Sequence, residues 1–118
     1  MRKIMLTMVL MAVLMMLATA GYALKSSPVE CFDISPNPMY KDCEIYVAVS
    51  TPLSINIQIQ SLDGKVIRDI YSGLVGKDIT LYWERTDNWG NYVPDGEYFV
   101  VLGFSTRYTS LKKTLILK

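Results

Sequence analysis

Histidine is absent from this 118-residue chain, and its absence excludes several kinds of chemistry. Imidazole is the commonest general base near neutral pH and the commonest metal ligand, so Ser-His-Asp triads, zinc hydrolase sites and His-dependent acid–base catalysis are excluded. Lys and Arg number 12 against 11 Asp and Glu, for a net charge of +1. Proteins that bind nucleic acid normally carry an excess of basic residues, and this chain has no such excess. We therefore expect no His-dependent enzyme and no nucleic-acid partner.

The two cysteines, Cys31 and Cys43, could form a disulfide or serve as reactive thiols. A bond between them would close a loop of roughly a dozen residues and stabilise the fold by about 3 kcal/mol in the chain-entropy model. Reactive cysteines favour a Cys-x-x-Cys spacing or basic neighbours that lower the thiol pKa. Cys43 instead lies between Asp42 and Glu44. The sequence predicts a structural Cys31–Cys43 disulfide.

Oxygen-bearing side chains concentrate in one segment near residue 90, and they are Asp87, Asn88, Asn91, Asp95 and Glu97. Such oxygens are the ligands that Ca²⁺ prefers. The Asp-x-Asp-x-Asp-Gly order of a calcium loop is absent, however, and turns select Asp and Asn for their own backbone hydrogen bonds. Glu84 and Asp95 could form a carboxylate pair for glycoside hydrolysis, but so short a chain leaves little room for a deep cleft. No metal, cofactor or catalytic residue is predicted.

Four aromatic residues are candidates either for a binding surface or for the core. Tyr46 and Tyr82 lie opposite the apolar positions of their segments, where they could stack on sugars or peptides; cross-strand pairing on a solvent-facing sheet is the favoured interpretation. Trp83 continues the apolar alternation of its segment and is predicted to lie in the core. Trp89 falls in a segment rich in turn formers. We expect it to be buried as a plug beneath the turn, with an exposed contact residue as the alternative.

The first 24 residues differ from the rest of the chain. Six of the seven methionines fall in residues 1–16, Arg2 and Lys3 precede an apolar stretch, and no charge occurs from residue 4 to residue 24. Small residues around Ala20 and Ala23 complete the pattern of a secretory signal peptide. We predict a signal peptide over 1–23, cleaved after Ala20 or Ala23, a linker over 24–29 and one domain over 30–118. An uncleaved anchor is the alternative, because the stretch could span a bilayer. Export would place the cysteines in an oxidising compartment.

The remaining segment has the pattern of an all-β protein. Residues 54–60 alternate strictly between isoleucine and polar residues, and no stretch has a convincing helical period. Turn residues separate seven predicted strands at 30–35, 43–50, 54–60, 65–71, 78–84, 97–104 and 110–117. Many short strands of this kind predict an Ig-like antiparallel β-sandwich of about seven strands.

Two turns set the expected pairing. Pro36-Asn37-Pro38 ends the first strand, because prolines remove ladder donors. If the first two strands pair across this corner, Cys31 and Cys43 would lie nearly opposite one another, which suits a disulfide. Asp63-Gly64 between two apolar-rich segments predicts a hairpin with a type I′ turn.

Several motifs resemble those of a known domain. The segments are 34–38 (ISPNP), 62–68 (LDGKVIR), 81–84 (LYWE), 87–90 (DNWG) and 93–99 (VPDGEYF). In order and spacing they resemble the Ig-like domain of the bacterial flagellar hook-capping protein, and they are also similar to C-terminal sorting domains of the type IX secretion system, whose ends resemble 111–118 (LKKTLILK). The resemblance covers about residues 30–118. It implies an Ig-like fold and an exported scaffold or adhesion-type module.

The last predicted strand carries Lys112, Lys113 and Lys118, as expected for a sheet edge protected by charge. By the sorting-domain resemblance it would instead be a recognition tail for secretion machinery. The sequence thus predicts an exported, non-catalytic module that binds an envelope or surface protein and has no membrane insertion after cleavage. It would be periplasmic, on the cell surface or secreted. The alternative is a secretion-targeting domain standing alone, and a calcium- or carbohydrate-binding module is the third hypothesis.

Overall fold

The computed structural model describes residues 27–104 and 109–118, and all the regular structure in these ranges is β-strand. The predicted signal peptide and both its cleavage sites lie outside the described residues. Within those residues, no helix has the length and apolarity needed to cross a membrane. The seven strands are β1 (Val29–Ser35), β2 (Cys43–Val49), β3 (Leu53–Ser61), β4 (Val66–Val75), β5 (Asp78–Trp83), β6 (Gly96–Phe104) and β7 (Thr109–Leu117).

The strands form two antiparallel sheets, which confirms the predicted sandwich. The first sheet has the order β1-β2-β5 and the second has the order β4-β3-β6-β7. Side chains alternate between the two faces of each strand, so one row from each sheet points inward. Ile55, Ile57 and Ile59 fill the inner face of β3, and Trp83 at the end of β5 is fully buried as predicted. The apolar alternation in the sequence therefore marks the core.

The hairpin between β3 and β4 has a different turn from the predicted type I′. Gly64 has a φ of 89°, but Asp63 has no positive φ. The amide of Gly64 donates to the carbonyl of Ser61, and the amide of Ser61 donates to the carbonyl of Lys65. This is a three-residue loop in which a type I turn is followed by a glycine in the left-handed region. Asp63 instead uses its carboxylate to accept hydrogen bonds from the Ser61 hydroxyl and the Lys65 amide.

Strand β4 continues past its predicted end at residue 71 to Val75. Ser72 and Gly73 lie in the segment predicted to separate two strands, yet Ser72 pairs with Asn56 and Gly73 pairs with Ile55. The long partner strand β3 supplies ladder partners for these residues, and this pairing outweighs their local preference for turns.

The predicted disulfide is wrong, because Cys31 and Cys43 are both free thiols. The strands do pair antiparallel across the proline corner, but Cys31 lies opposite Ala48 rather than near Cys43. Five residues along β2 correspond to about 16 Å, far beyond the roughly 7 Å that a disulfide permits between Cα atoms. The two side chains also lie on opposite faces of the sheet. Cys43 is buried with the core, whereas Cys31 lies on the outer face and is partly exposed.

Neither thiol is activated. Burial raises the pKa of Cys43 to about 12, and the nearby Asp42 adds to the effect. Partial burial and the carboxylate of Asp33, 3.5 Å from Sγ, raise the pKa of Cys31. Both therefore remain protonated near neutral pH, as expected for cysteines without a catalytic role.

Thiol labelling tests the corrected assignment. With N-ethylmaleimide under native conditions, we expect Cys31 to react slowly and Cys43 to react only after unfolding, because Cys43 is protonated and buried. Intact mass before and after denaturation counts the labelled thiols. A chain that takes up no label even when unfolded would have the disulfide and would contradict the register described above.

Candidate functional site

Three loops meet at one end of the sandwich, here called the loop end. These loops are residues 36–42 between β1 and β2, residues 62–65 between β3 and β4, and residues 84–95 between β5 and β6. The chain enters β1 at the opposite end, where Val29 pairs with Val49. The loop end therefore lies away from the point at which the preceding part of the chain joins the sandwich.

Arg85 is fully buried at the loop end and organises it. Its Nε donates to the carbonyl of Val93 at 2.8 Å, and its Nη1 donates to the carbonyls of Tyr40 at 2.7 Å and Lys118 at 2.9 Å. Its Nη2 donates to the carboxylate of Asp95. One guanidinium thus joins two loops to the last residue of the chain. Its rigid planar array of donors suits this task, which a Lys ammonium could not perform.

The backbone and the aromatic neighbour of Arg85 are also unusual. Its φ of 62° lies in the left-handed region, which non-glycine residues seldom adopt. The ring of Tyr92 lies over the guanidinium, 4.6 Å from ring centroid to Cζ. This cation–π contact orients Tyr92 while leaving it 67% exposed.

Asp87 fixes the tip of the 84–95 loop. Its Oδ1 accepts hydrogen bonds from the amides of Trp89 and Asn91, both at 2.9 Å, and the amide of Gly90 donates to its carbonyl. These bonds, chiefly that from Asn91, hold the pKa of the Asp87 carboxyl below its ordinary value. Asp87 therefore acts as an Asx-type turn residue, and its carboxylate stays charged.

The same loop is tied to the edge of β4. The Arg68 guanidinium donates to the carbonyl of Asp87 at 2.8 Å and to the hydroxyl of Thr86 at 3.1 Å. The amide of Asn88 donates to the carbonyl of Ile67, and its Oδ1 accepts a bond from the amide of Asp69 at 2.9 Å. The loop is thereby held at its tip and along one side.

Replacing Asp87 by Ala should loosen this loop, since two amides lose their acceptor. We expect amide hydrogen exchange at Trp89 and Asn91 to accelerate about tenfold, which corresponds to about 1.4 kcal/mol. Asp87→Asn is the matched control, because its Oδ1 can still accept both bonds.

Acid should act on the same turn. The pKa of Asp87 is lower in the folded state than its ordinary value of 3.8. The contribution of the carboxylate is therefore complete above pH 3.8 and is lost as the pH falls through the lowered pKa. Exchange rates in Asp87→Ala that match those of the wild-type chain would contradict the assigned role.

Trp89 is 77% exposed at the tip of this loop. The expected plug beneath the turn is therefore wrong, and the alternative of an exposed contact residue is correct. The space under the loop is already filled, because Arg85 and Val93 are both buried there. Trp89 has no room to turn inward, and its backbone amide is fixed by Asp87.

A groove of about 300 Å³ runs beside Trp89 and is called the loop groove. Much of its wall is apolar or aromatic, with contributions from Trp89, Tyr92, Tyr98, Pro94, Val66 and Ile67. Tyr98 is nearly buried, and its hydroxyl donates to the carbonyl of Pro94 at 2.9 Å. Lys65 and Asp87 supply charged groups to the lining. The groove thus combines an ordered apolar wall with two exposed aromatic side chains.

The other candidate residues that the sequence offered, two tyrosines and two carboxylates, do not form a common site. Tyr46 and Tyr82 lie on the outer face of the first sheet as predicted, and the Tyr46 hydroxyl donates to Asp78 at 3.1 Å. Glu84 accepts a bond from Thr86 and lies 3.5 Å from Arg68, whereas Asp95 binds Arg85.

The predicted oxygen cluster is also dispersed. Asp87 caps its own turn, Asn88 binds β4, and Asp95 binds Arg85. In the part of the chain that the structure describes, no three His, Cys, Asp or Glu side chains are grouped so as to hold a metal ion.

Asparagine side chains cap both edges of the second sheet. On β7, the Asn37 amide donates to the carbonyl of Thr114 at 2.8 Å, and its Oδ1 accepts a bond from the amide of Ile116 at 3.1 Å. Met39 bridges the end of β7 in parallel. On β4, the Asn88 side chain accepts a bond from the amide of Asp69, and the Asn88 backbone amide donates to the carbonyl of Ile67. Lys113 on β7 also forms an ion pair with Asp33 on β1, with 3.4 Å between Nζ and Oδ1.

The roles of Arg85 and of the two capping asparagines were not found by sequence reasoning, which named Asn88 only as an oxygen-bearing side chain. A charged residue in a turn-rich segment is normally solvated, and nothing in the pattern around Arg85 distinguishes it from Lys or Arg elsewhere. The bonds of Asn37 join positions 77 and 79 residues apart, so no local signal could reveal them.

Comparison with solved structures finds the same architecture in another protein. The crystal structure of dimeric latent PorU from Porphyromonas gingivalis is similar with a TM-score of 0.60 and 15% sequence identity. The chain shares the β-sandwich fold with part of PorU. The likeness covers 73% of this chain and 9% of the PorU chain, and at this identity it shows the fold alone. No protein-family model matches the sequence, and no curated protein matches it. The resemblance to the hook-capping protein stays a prediction.

Proposed function

We propose that this protein is an exported, non-catalytic interaction module that binds another envelope or surface protein through its loop end. The observation that carries the proposal is the exposure of Trp89 on a loop fixed by Asp87, Asn88 and Arg68. A tryptophan held rigidly in water loses little conformational entropy on binding and offers a large apolar contact. Exposed aromatics of this kind are typical centres of protein–protein interfaces.

Exposed apolar side chains are concentrated at this end. Among the described residues, seven large hydrophobic side chains are exposed, and the loops of the loop end hold four of them: Tyr40, Leu62, Trp89 and Tyr92. A concentration of exposed apolar residues at one end of the molecule favours an interaction surface there.

The two edges of the second sheet are less suitable for binding. Asn37 with Met39 occupies the edge of β7, and Asn88 occupies the edge of β4, so these backbone groups already have partners. A partner strand would have to displace these bonds before it could pair. The loop end is therefore favoured over the edges of the second sheet.

Export and the lack of catalysis complete the proposal. The basic start, apolar stretch and small residues of 1–23 support passage through a membrane with cleavage of the signal. The lack of His and the dispersal of Glu84 and Asp95 to separate arginines support a binding role over an enzymatic one.

Crosslinking from position 89 tests the proposal. A photoreactive amino acid in place of Trp89, in cells of the source organism, should form a covalent product with one or a few envelope proteins. The same substitution at Tyr82 is the matched control, since Tyr82 is exposed but lies on the outer sheet face. The unmodified protein should retain the same partner in a non-covalent pull-down, and Trp89→Ala should abolish that retention. Equal products from positions 82 and 89 would contradict the proposal.

The secretion-targeting alternative is supported by two features. The sequence of residues 111–118 resembles the ends of sorting domains, and the sandwich is similar to a region that makes up 9% of a much longer chain. Fusing residues 24–118 behind a periplasmic reporter in a bacterium with type IX secretion would test it. Transfer of the reporter to the cell surface would favour this alternative, and its retention in the periplasm would oppose it.

A further inference from the structure

We infer that the free edge of β5 pairs with the β5 edge of a second copy of this chain, so that the first sheets of the two copies form one continuous antiparallel sheet. The strand order of that sheet would be β1-β2-β5-β5-β2-β1. This surface is a strand edge and not the loop end, so the inference goes beyond the proposed function and does not depend on it.

Three residues of β5 direct their backbone groups to this edge. β5 lies at the end of the first sheet and pairs only with β2 among the described strands. In an antiparallel ladder each residue directs its N–H and C=O to the same side, and successive residues alternate in side. The carbonyl of Lys77 accepts the amide of Val49 at 2.9 Å and therefore points toward β2. Asp78, Thr80 and Tyr82 thus point away from β2, and no backbone–backbone hydrogen bond to them outside the strand ladder is found in residues 27–104 and 109–118.

The other three sheet edges carry features that prevent pairing. The β1 edge has a β-bulge between Val29 and Cys31, and the Lys113 ammonium lies 5.8 Å from the centroid of the Phe32 ring. The β4 and β7 edges carry the asparagine contacts described above. In contrast, β5 (DITLYW) has no bulge in its register with β2 and contains no Pro or Lys. Bulges, prolines and lysines keep edges from pairing, so β5 is the edge that is open to another strand.

The sequence of β5 complements itself in one antiparallel register. With a two-fold axis at Thr80, this residue lies opposite Thr80 of the second copy, and Asp78 lies opposite Tyr82. Ile79 lies opposite Leu81 on the inner face, where both side chains are half-buried. The carboxylate of Asp78 can then accept a bond from the Tyr82 hydroxyl, and the edge-facing pairs form about six main-chain hydrogen bonds. Each contact occurs twice, as a two-fold interface requires.

Charge selects this register over its neighbours. A shift by two positions in one direction places Asp78 opposite Glu84, and like charges in direct opposition are unfavourable. The opposite shift places Lys77 against Leu81. In the inferred register Glu84 lies opposite Gly76, which has open space around it. A second copy is therefore the occupant that the edge fits, and a strand of a different protein is a competing outcome of the test.

Disulfide trapping tests the contact and its register together. Every chain carries Cys31→Ser, which leaves the buried Cys43 as the native thiol, and receives one new cysteine by Thr80→Cys, Tyr82→Cys or Thr114→Cys. The full-length genes are expressed, the cells are treated with copper phenanthroline, and dimers are scored on non-reducing gels. Thr114 is the matched control, because it is an exposed threonine on β7, an edge strand of the second sheet.

We expect Thr80→Cys to give a covalent dimer, because the two-fold axis places the two Cα atoms of residue 80 about 5.5 Å apart, within the range of a disulfide. Tyr82→Cys should give no dimer by itself, since its two copies lie four residues apart along the strands, about 13 Å. Co-expression of Asp78→Cys and Tyr82→Cys chains should restore the dimer, because these positions oppose one another. Thr114→Cys should give none.

Charges at position 80 separate dimerisation from folding. Thr80→Lys and Thr80→Glu each place like charges across the two-fold axis and should weaken self-association about fivefold, measured by sedimentation of the purified protein. An equal mixture of the two variants should associate again, because opposite charges then face one another. Circular dichroism should not change, since the Thr80 side chain is exposed.

Three results would overturn the inference: no dimer from Thr80→Cys, equal dimer yields at positions 80, 82 and 114, or capture of a different protein by Thr80→Cys in place of a second copy. None of them bears on the proposed function, which crosslinking from position 89 tests separately. A photoreactive group at position 82 would also capture a second copy. That product has twice the mass of the chain, which distinguishes it from the envelope-protein products expected at position 89.

Discussion

Arg85→Ala is expected to lower the free energy of unfolding by about 3–5 kcal/mol, among the largest effects of any substitution in this chain. The guanidinium is fully buried and donates to the carbonyls of Val93, Tyr40 and Lys118 and to Asp95. Its loss leaves the buried Val93 carbonyl without this donor, removes the bonds to Tyr40 and Lys118 and opens a cavity beneath Tyr92. Urea denaturation followed by circular dichroism measures the change.

Two further variants separate the causes. Arg85→Lys keeps the charge but lacks the planar array of donors, so it should recover only part of the loss. Asp95→Ala removes the carboxylate partner, whose side chain is 76% exposed, and should cost less than Arg85→Ala. If Arg85→Ala proves too unstable to purify, the stabilities of Arg85→Lys and Asp95→Ala relative to the wild-type chain still test the role of the guanidinium. If Arg85→Lys were as stable as the wild-type chain, the hydrogen bonds of the planar guanidinium would contribute little to the free energy of unfolding.

Trp83→Ala is expected to cost a similar amount, about 3–5 kcal/mol, for a different reason. Trp83 is fully buried at the end of β5, and its Nε1 donates to the carbonyl of Thr86 at 2.8 Å. The substitution removes core volume and also frees Thr86, which lies in the loop that carries Trp89. Thermal unfolding and the near-ultraviolet circular dichroism of the remaining tryptophan report the two effects.

The matched controls for Trp83 are Trp83→Phe and Trp89→Ala. Trp83→Phe keeps most of the ring but leaves the Thr86 carbonyl without its donor, so a loss of about 1–3 kcal/mol is expected. Trp89→Ala should change stability by no more than about 0.5 kcal/mol, because the side chain is exposed. A comparable loss in both tryptophan-to-alanine variants would mean that Trp89 packs in solution.

These effects concern binding because the same contacts fix the loop end. Arg85 holds Tyr92 and the last residue of the chain, and Trp83 with Asp87 holds the loop on which Trp89 stands. A surface that is already ordered loses less entropy when a partner binds. We therefore expect variants of Arg85 to weaken partner binding even where the sandwich remains folded.

The strand pattern could be predicted because it is a local property. Ile55, Ile57 and Ile59 alternate with polar residues, and this period of two fixes both the strand and its buried face. Trp83 falls in phase with its strand for the same reason. All seven predicted strands are present, with ends that differ by at most one residue except in β4, where pairing with β3 extends the strand.

The wrong predictions concern relations between segments. Cys31 and Cys43 lie on strands that do pair, but the disulfide depended on the register, and a shift of a few residues separates the sulfurs. Side-chain direction also alternates along a strand, so the two thiols point to opposite faces. The exposure of Trp89 depended on whether other groups already fill the space under its loop.

Sequence alone thus determined the fold class, the strand segments, the core-facing residues and the exclusion of His-based chemistry, because each follows from residue type or from a period of two. Only the tertiary structure decided that Arg85 is buried, that Asn37 and Asn88 cap the sheet edges and that Trp89 faces solvent. Those properties arise from contacts between residues far apart in the chain, such as Arg85 with Lys118. Their energies depend on the register and packing of both sheets, which no local pattern encodes.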